Sequence, residues 1–520
     1  MKIWKGQRPY YKVMRGVLVW VLLLTLGSVI HPEATSNSYI VQGSDMETVA
    51  ALVRGVGGSV THKLGIIDAV GAKLTVDQVS RLAAYGVRLY ADYAVHSSSG
   101  GEDPPTYYPE LIGAAQLHDA GIDGSGVTVA VVDTGLWKNS GFNKRGDTSS
   151  RQITFYDAIL DQSSTWGDDN GHGTHVSGII ASSDDSGTGG DKVFHGVAPD
   201  VDLVVIKALD ENGSGLYADV IRGIDWAVTH AITHNIRVLN LSLSAPPQSY
   251  YWDDPLNQAV MEAWQAGIVV VAAAGNDGPD PMSIGVPGNV PYIITVGAMT
   301  DNYTPGDGAD DELASFSSAG PTVEGFVKPD VVAPGGHMLA LMDDKAKYAT
   351  DHPEYYDARD YFTMSGTSQA AAAASGAVAL MLQADPSLTP DEVKCRLMDS
   401  AHPALDENDD LAYSIFQQGA GIIHAYDAVS NTTSSCANQG LNIAYDLAGT
   451  EHYGGMANQD LATGEYYIME TEGYVWSGGY VWSGGYVWSG GYVWSGNYDW
   501  DENPPWCSAA AAVNHWVAQE

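Results

Sequence analysis

The chain has 520 residues, 45% of them apolar and 10% aromatic, which is more than one hydrophobic core accommodates and predicts two or three domains. Its formal net charge is −39, and the imbalance lies in residues 97–520, where 14 Lys/Arg face 57 Asp/Glu. Such a charge repels phosphate backbones and anionic lipid, so nucleic acid and acidic membrane surfaces are excluded as partners; calcium binding or a saline setting is compatible with it.

Lys2, Lys5, Arg8, Lys12 and Arg15 precede an apolar run from Gly16 to Ile30. A basic start followed by a short apolar core reads as a secretory signal over residues 1–35, because a membrane span needs about twenty apolar residues. Thr25 and Gly27, or Ala34, are small enough to sit at a cleavage point, and an uncleaved anchor is the alternative. The expected location is therefore secreted or extracytoplasmic, the cell surface included.

Residues 38–96 read as a small unit. Tyr39-Ile40-Val41 is a strand, Met46 to Arg54 a helix, Val60 follows Gly57-Gly58, Ile66 to Val70 is another strand, and Val76 to Tyr85 is a helix stopped by Gly86. The order β-α-β-β-α-β is that of a ferredoxin-like α+β module. Residues 97–106, Ser- and Gly-rich and ending in Pro104-Pro105, form an exposed linker. A folded unit, a cuttable linker and then a large domain suggest a propeptide; a small domain retained for life is the alternative.

From Gly126 onward, β-branched runs alternate with longer amphipathic stretches. Val127 to Val132, Leu203 to Ile206, Val238 to Leu241 and Ile268 to Val271 read as strands buried on both faces, while Tyr217 to His234 and Pro255 to Ala266 have helical spacing. This is an α/β pattern: a parallel sheet with helices on both faces and ligand sites at the carboxyl ends of its strands.

The informative motifs fall at those ends. Asp133-Thr134-Gly135 follows the first strand directly, and a carboxylate near the interior needs a hydrogen-bonded partner. His172, in Asn170-Gly171-His172-Gly173-Thr174-His175, is the partner expected, set among small residues at the start of a helix. His172 and His175 also lie three residues apart on one face, as a metal pair would, but no third ligand at zinc spacing accompanies them. Further on, Met364 to Ala370 runs into an alanine-rich helix and delivers Ser368 to its N-terminus, where the helix field and a backbone N–H favour a developing oxyanion. Taken alone, that stretch reads better as a capped core helix, and the two upstream motifs reverse that reading.

Asp133, His172 and Ser368, in that chain order, match the order found in subtilisins. On Val131-Val132-Asp133-Thr134-Gly135, Gly171-His172-Gly173-Thr174-His175-Val176 and Gly366-Thr367-Ser368-Gln369-Ala370, residues 107–430 resemble a subtilisin-family (subtilase) catalytic domain. Gly196-Val197-Ala198-Pro199 and Lys328 to Gly335 fall in the expected order. The resemblance implies a secreted serine endopeptidase acting on protein and peptide substrates, with Asp133, His172 and Ser368 as the triad and Asn276 as the oxyanion donor. It implies Ser242, Leu243 and Ser244 as the strand along the substrate, with Ala273, Ala274 and Gly275 as the opposite wall. The family usually has glycine where Ser244 stands, and the added hydroxymethyl is expected to narrow the pocket rim.

The same resemblance implies that residues 38–96 act as an intramolecular inhibitor, with Tyr93 to His96 lying in the cleft and cleavage near His96. No cofactor is required for chemistry, but structural calcium is a family habit. Asp184, Asp185 and Asp191 mark one candidate loop, Asp301, Asp307, Asp310 and Asp311 a second, with solvated acidic loops as the alternative.

Residues 431–520 form a distinct C-terminal region. Residues 473–496 repeat Gly-Tyr-Val-Trp-Ser-Gly with a period of six, which in an extended chain puts every Tyr and Trp on one face. A polysaccharide- or cell-surface-binding strip, self-association through stacked strands, and an inert spacer are all consistent with it. The competing reading of the whole chain is a binding protein on a subtilase scaffold, with this tail carrying the function. Of three cysteines, Cys395 lies among Val393, Leu397 and Met398 on an expected helix and reads as a buried free thiol, leaving Cys436 and Cys507 to pair.

Overall fold

Strand β1 (Asn37–Gln42) points Ile40 and Val41, both fully buried, to opposite faces. On the Val41 face lie helix α1 (Met46–Gly55), capped by Asp45, and helix α2 (Val76–Ala83), opened by a Thr75/Gln78 capping box. Strands β2 (Ser59–Leu64), β3 (Ala69–Leu74) and β4 (Arg88–Ala91) complete an antiparallel sheet in the order β2-β3-β1-β4. The expected strand at Ile66 to Val70 is displaced: Gly65–Ile67 is a 3₁₀ turn, Asp68 adopts a left-handed conformation at φ 49°, and the strand starts at Ala69. Asp tolerates that conformation, so the chain reverses there and β2 pairs with β3.

The computed structural model describes residues 37–92, 94–95, 107–143, 151–184, 195–304, 310–357, 359–406, 408, 410–460, 462–468 and 517. The signal-like start, Tyr93, His96, the linker to residue 106, Asp185, Asp191, Asp307, the aromatic repeats and Cys507 lie outside the described residues.

After β5 (Ala94–Val95) and the short helices α3 (Tyr108–Leu111) and α4 (Ala114–Asp119), the large sheet begins with β6 (Thr128–Asp133), β7 (Ile153–Asp157) and β8 (Gln162–Ser163). It continues, around α5 (His172–Ala181), α6 (Tyr217–His234) and α7 (Pro255–Gln265), with β9 (Asp202–Lys207), β11 (Ile236–Leu241), β12 (Val269–Ala273), β13 (Ile294–Thr300) and β14 (Glu312–Leu313); the short β10 (Gly215–Leu216) lies outside it. The strand order is β14-β13-β12-β11-β6-β9-β7-β8, with β15 (Val331–Pro334) paired to β13. The strands from β13 to β7 are mutually parallel, and the antiparallel pairs are at the two edges.

Helices α5 and α9 (Thr367–Ala384) pack together on one face of this sheet, and α6 and α7 on the other. Chain order reverses between β6 and β11, which are adjacent, so the crevice at their carboxyl ends is the place where a ligand site is expected. β16 (Met338–Leu341), α8 (Lys347–Asp351), β17 (Tyr356–Asp357) and β18 (Tyr361–Met364) form a flap of three strands and a short helix that leads into α9. The alanine-rich sequence of α9 reads correctly as a buried helix: its residues from Thr367 to Leu382 are all buried, and small side chains let it approach its neighbours closely.

The body ends with α10 (Pro390–Asp399), α11 (Ile415–Gln418), α12 (Ala425–Ser430), α13 (Ile443–Leu447) and the hairpin β19 (Ala457–Gln459) and β20 (Tyr466–Ile468). Residues 431–460 stay on this body, with Asp446 accepting from Tyr251 Oη at 2.5 Å and from Tyr292 Oη at 3.1 Å. Cys395 is disulfide-bonded to Cys436, with Cα atoms 5.1 Å apart, which corrects the expected free thiol and the expected Cys436–Cys507 pairing. Apolar neighbours of Cys395 signal burial, but only the return of the chain past α10 brings Cys436 to it.

The other face of the small N-terminal sheet, with Ile40, Leu64, Ile67 and Ala69, joins the core of the body. His62 Nε2 pairs with Asp219 Oδ1 on α6, and Arg88 pairs with Asp253 at 3.2 Å. Asp92 Oδ1 accepts from Ala218 N in the first turn of α6, and β5 runs antiparallel to β10.

Candidate active site

Asp133 is the last residue of β6 and is buried. Its Oδ1 accepts from the Thr134 backbone N–H at 2.8 Å and faces His172 Nδ1 at 2.8 Å, with Oδ2 at 2.9 Å from the same nitrogen. A carboxylate in that position accepts a hydrogen bond from Nδ1–H and keeps the proton on Nδ1, so Nε2 carries the lone pair. Asp168, which the sequence analysis did not single out, shapes the loop that presents His172. Its oxygens accept from Gly171 N, Thr174 N, Thr174 Oγ1 and Thr134 Oγ1 at 2.7–2.9 Å. Gly173 lies so close to Gly135 that a Cβ there would sit 2.4 Å from the Gly135 carbonyl oxygen, which accounts for a glycine beside the histidine.

Ser368 is the second residue of α9, and His172 is the first residue of α5, which packs against it. Ser368 Oγ donates to the Ser242 carbonyl at 3.0 Å, and Ser242 Oγ donates to the Ser368 carbonyl at 2.8 Å. Asn240 Nδ2 donates to Ser242 Oγ, while Ser375 Oγ donates to Asn240 Oδ1, both at 2.9 Å, so the end of β11 and the residue after it are tied to α9 by three hydrogen bonds. His172 Nε2 makes no hydrogen bond among the described residues.

Asn276 follows β12, and its Oδ1 accepts from Thr367 N at 3.0 Å and Thr367 Oγ1 at 2.8 Å. Thr367 Oγ1 in turn accepts from Gly275 N at 3.2 Å. The carboxamide oxygen is thus fixed by the residue before Ser368, and the group's donor end is its nitrogen. In the sequence only its place between Gly366 and Ser368 marks Thr367 for this role.

Ser242, Leu243 and Ser244 continue from β11, and Ala273 ends β12 with Ala274 and Gly275 beyond it. All six are buried, and the Ser244 hydroxyl occupies space that two glycines leave: a Cβ on Gly285 would meet it at 1.8 Å and one on Gly275 at 3.2 Å.

A model described as the subtilase family (Peptidase_S8) matches residues 124–422. The chain belongs to the subtilase family. Serine protease AprX of Bacillus subtilis is 41% identical over 313 residues, 59% of this chain and 67% of AprX. Subtilisin J of Geobacillus stearothermophilus is 30% identical over 410 residues, covering 75% of this chain and 94% of the relative. Among solved structures, fervidolysin from Fervidobacterium pennivorans, described as a keratinolytic enzyme related to subtilisin, superposes with a TM-score of 0.60 at 24% identity. That match covers 77% of this chain and 62% of fervidolysin, and it shows a shared fold. The subtilase is accordingly a serine-type endopeptidase by family, and subtilases need no cofactor for their chemistry.

His175 does not share a pole with His172 in this subtilase. Its Nε2–H donates to the Met338 and Phe362 carbonyls at 3.1 and 3.0 Å, and complete burial pushes its pKa down to about 3, so it is a neutral structural histidine. Of the candidate calcium loops, Asp185, Asp191 and Asp307 lie outside the described residues. Asp184 Oδ2 accepts from Tyr361 Oη at 2.7 Å, Asp301 Oδ1 faces His337 Nε2 at 2.7 Å, and Asp310 Oδ1 accepts from Thr304 Oγ1 at 2.6 Å. Neither loop gathers three side-chain ligands among the described residues.

Proposed function

We propose that this subtilase is an exported endopeptidase made as a zymogen, with Asp133, His172 and Ser368 as its triad and Asn276 as its oxyanion donor. The observation that carries the reading is the buried Asp133–His172 pair, at 2.8 and 2.9 Å, with Nε2 left as the basic nitrogen. Turning Ser368 Oγ from the Ser242 carbonyl toward Nε2 lets His172 take its proton as the oxygen attacks a peptide carbonyl. The imidazolium then returns the proton to the leaving amine, while Asp133 holds the ring and stabilises its charge without becoming protonated. The Asn276 amide and the Ser368 backbone N–H at the start of α9 would receive the oxyanion.

Zymogen control is supported by the way residues 37–95 hold the body. Asp92 caps α6, His62 meets Asp219, and β5 adds a strand to β10. Export is supported by the basic and apolar start of the sequence. Ser244, filling the gap between Gly275 and Gly285, supports a primary pocket narrowed against large side chains.

The test is the full chain carrying Ser368→Ala. The reading expects wild type to separate from its N-terminal unit and to react with a serine-directed fluorophosphonate, and the variant to do neither. Equal processing of both chains, or labelling that survives the substitution, would point to the scaffold-only binding protein.

A further inference from the structure

Away from the cleft, His402, His424 and Asp427 converge from two separate segments. His402 follows α10 and is held by a pair of backbone hydrogen bonds with Ile422, His402 N to Ile422 O and Ile422 N to His402 O, both 2.8 Å. His424 is the N-cap of α12 and Asp427 stands three residues on, so both project from the same side of the first turn. Gly113, at φ 72°, makes room for the His424 ring: a Cβ there would lie 2.7 Å from Cε1 and 2.8 Å from Nε2.

The three side chains turn their donor atoms to one another. Asp427 Oδ2 is 3.1 Å from His402 Nε2 and 2.9 Å from His424 Nδ1, and the two imidazoles stack with centroids 5.0 Å apart. Zinc bonds of about 2.0–2.2 Å at tetrahedral angles require ligand atoms about 3.3–3.5 Å apart. The two Asp427 spacings reach that with a movement of a few tenths of an ångström, which the half-exposed Asp427 permits, and all three ligand atoms lie within 4.8 Å of one another. The Asp427 backbone N–H leans on His424 Nδ1 at 3.3 Å, a long contact that an ion would replace.

We propose that His402, His424 and Asp427 bind a zinc-type divalent cation that ties the segment after α10 to the start of α12. Two imidazoles and one carboxylate suit Zn²⁺ and its transition-metal neighbours, whereas Ca²⁺ and Mg²⁺ take all-oxygen shells. Three protein ligands leave one position for water, on the solvent-facing side where His402 is exposed. The cation closes the loop between His402 and His424 and acts on stability rather than on the chemistry of the cleft.

The full chain carrying Ser368→Ala, which stays intact if the proposed triad is right, is titrated with Zn²⁺ by calorimetry and melted with and without the ion. One Zn²⁺ per chain is expected, with a rise in unfolding temperature of about 3 °C at a hundredfold excess over Kd. His402→Ala, at an exposed position, and Asp427→Asn should each weaken binding at least tenfold and cut the rise at the same Zn²⁺ concentration by about half or more. Absence of saturable binding, binding untouched by His402→Ala, or equal competition by Ca²⁺ overturns the assignment. Should Asp427→Asn fail to fold, His402→Ala decides alone.

Discussion

Thr367→Val removes one hydroxyl from the buried run Gly275, Asn276, Thr367 and Ser368 at nearly constant volume. The lost group accepts from Gly275 N at 3.2 Å and donates to Asn276 Oδ1 at 2.8 Å. Gly275 N–H is left without that partner, at a cost of about 1–3 kcal/mol, whereas Asn276 Oδ1 keeps the Thr367 backbone N–H at 3.0 Å and loses about 1 kcal/mol. The variant should therefore be less stable by about 2–4 kcal/mol. With the Thr367 hydroxyl gone, the Asn276 amide samples orientations in which its nitrogen misses the oxyanion. A loss of about 1.4 kcal/mol of transition-state stabilisation, tenfold in kcat with KM little changed, is expected. Complete removal of the donor in Asn276→Leu sets the ceiling, about 10²–10³ in kcat, a figure measured in a subtilisin and so a family precedent. Steady-state hydrolysis of a peptide anilide, together with a melting curve, separates the two effects. Thr367→Ser keeps the hydroxyl and should recover kcat. A Thr367→Val enzyme that is less stable but turns over at the wild-type rate, or a Thr367→Ser enzyme as slow as the Val variant, refutes the positioning role.

Three further outcomes are expected. Asp330 meets Lys328 Nζ at 2.6 Å and Lys394 Nζ at 3.0 Å inside the body, and burial already pushes the Lys328 ammonium down to about 7. Asp330→Ala leaves both lysines with backbone carbonyls but no carboxylate and should cost about 3–5 kcal/mol by denaturant titration, while a change under about 1 kcal/mol would contradict the network. Burial raises Asp254 and Glu324 to about 7, so the folded chain holds protons that the unfolded chain releases near pH 4; this stability is full below that pH and is lost as pH rises through 7. Asp254→Asn, which can still cap α7, should remove up to about 1.4 kcal/mol per pH unit of that slope between pH 5 and 7, and an unchanged slope would sink the assignment. Ser244→Gly empties the space between Gly275 and Gly285 and should raise kcat/KM about tenfold for substrates with a large apolar residue before the cleaved bond, leaving small ones unchanged.

Much of the architecture was legible because it is written in local periodicity. β-branched runs buried on both faces mark β6, β9, β11 and β12 within a residue or two, and helical spacing locates α6 and α7. The motif residues Asp133, His172 and Ser368 could be read for the same reason: each sits beside glycines or small residues that the backbone needs at a strand end or helix start. What the sequence could not express is which distant groups share a hydrogen bond. Asp168 arranging the histidine loop, Thr367 anchoring Asn276, Cys395 meeting Cys436 and the convergence of His402 with Asp427 all depend on segments brought together by packing. A side chain's local neighbours announce burial and backbone conformation, but its partner is chosen by the path of the whole chain, and only the tertiary structure records that choice.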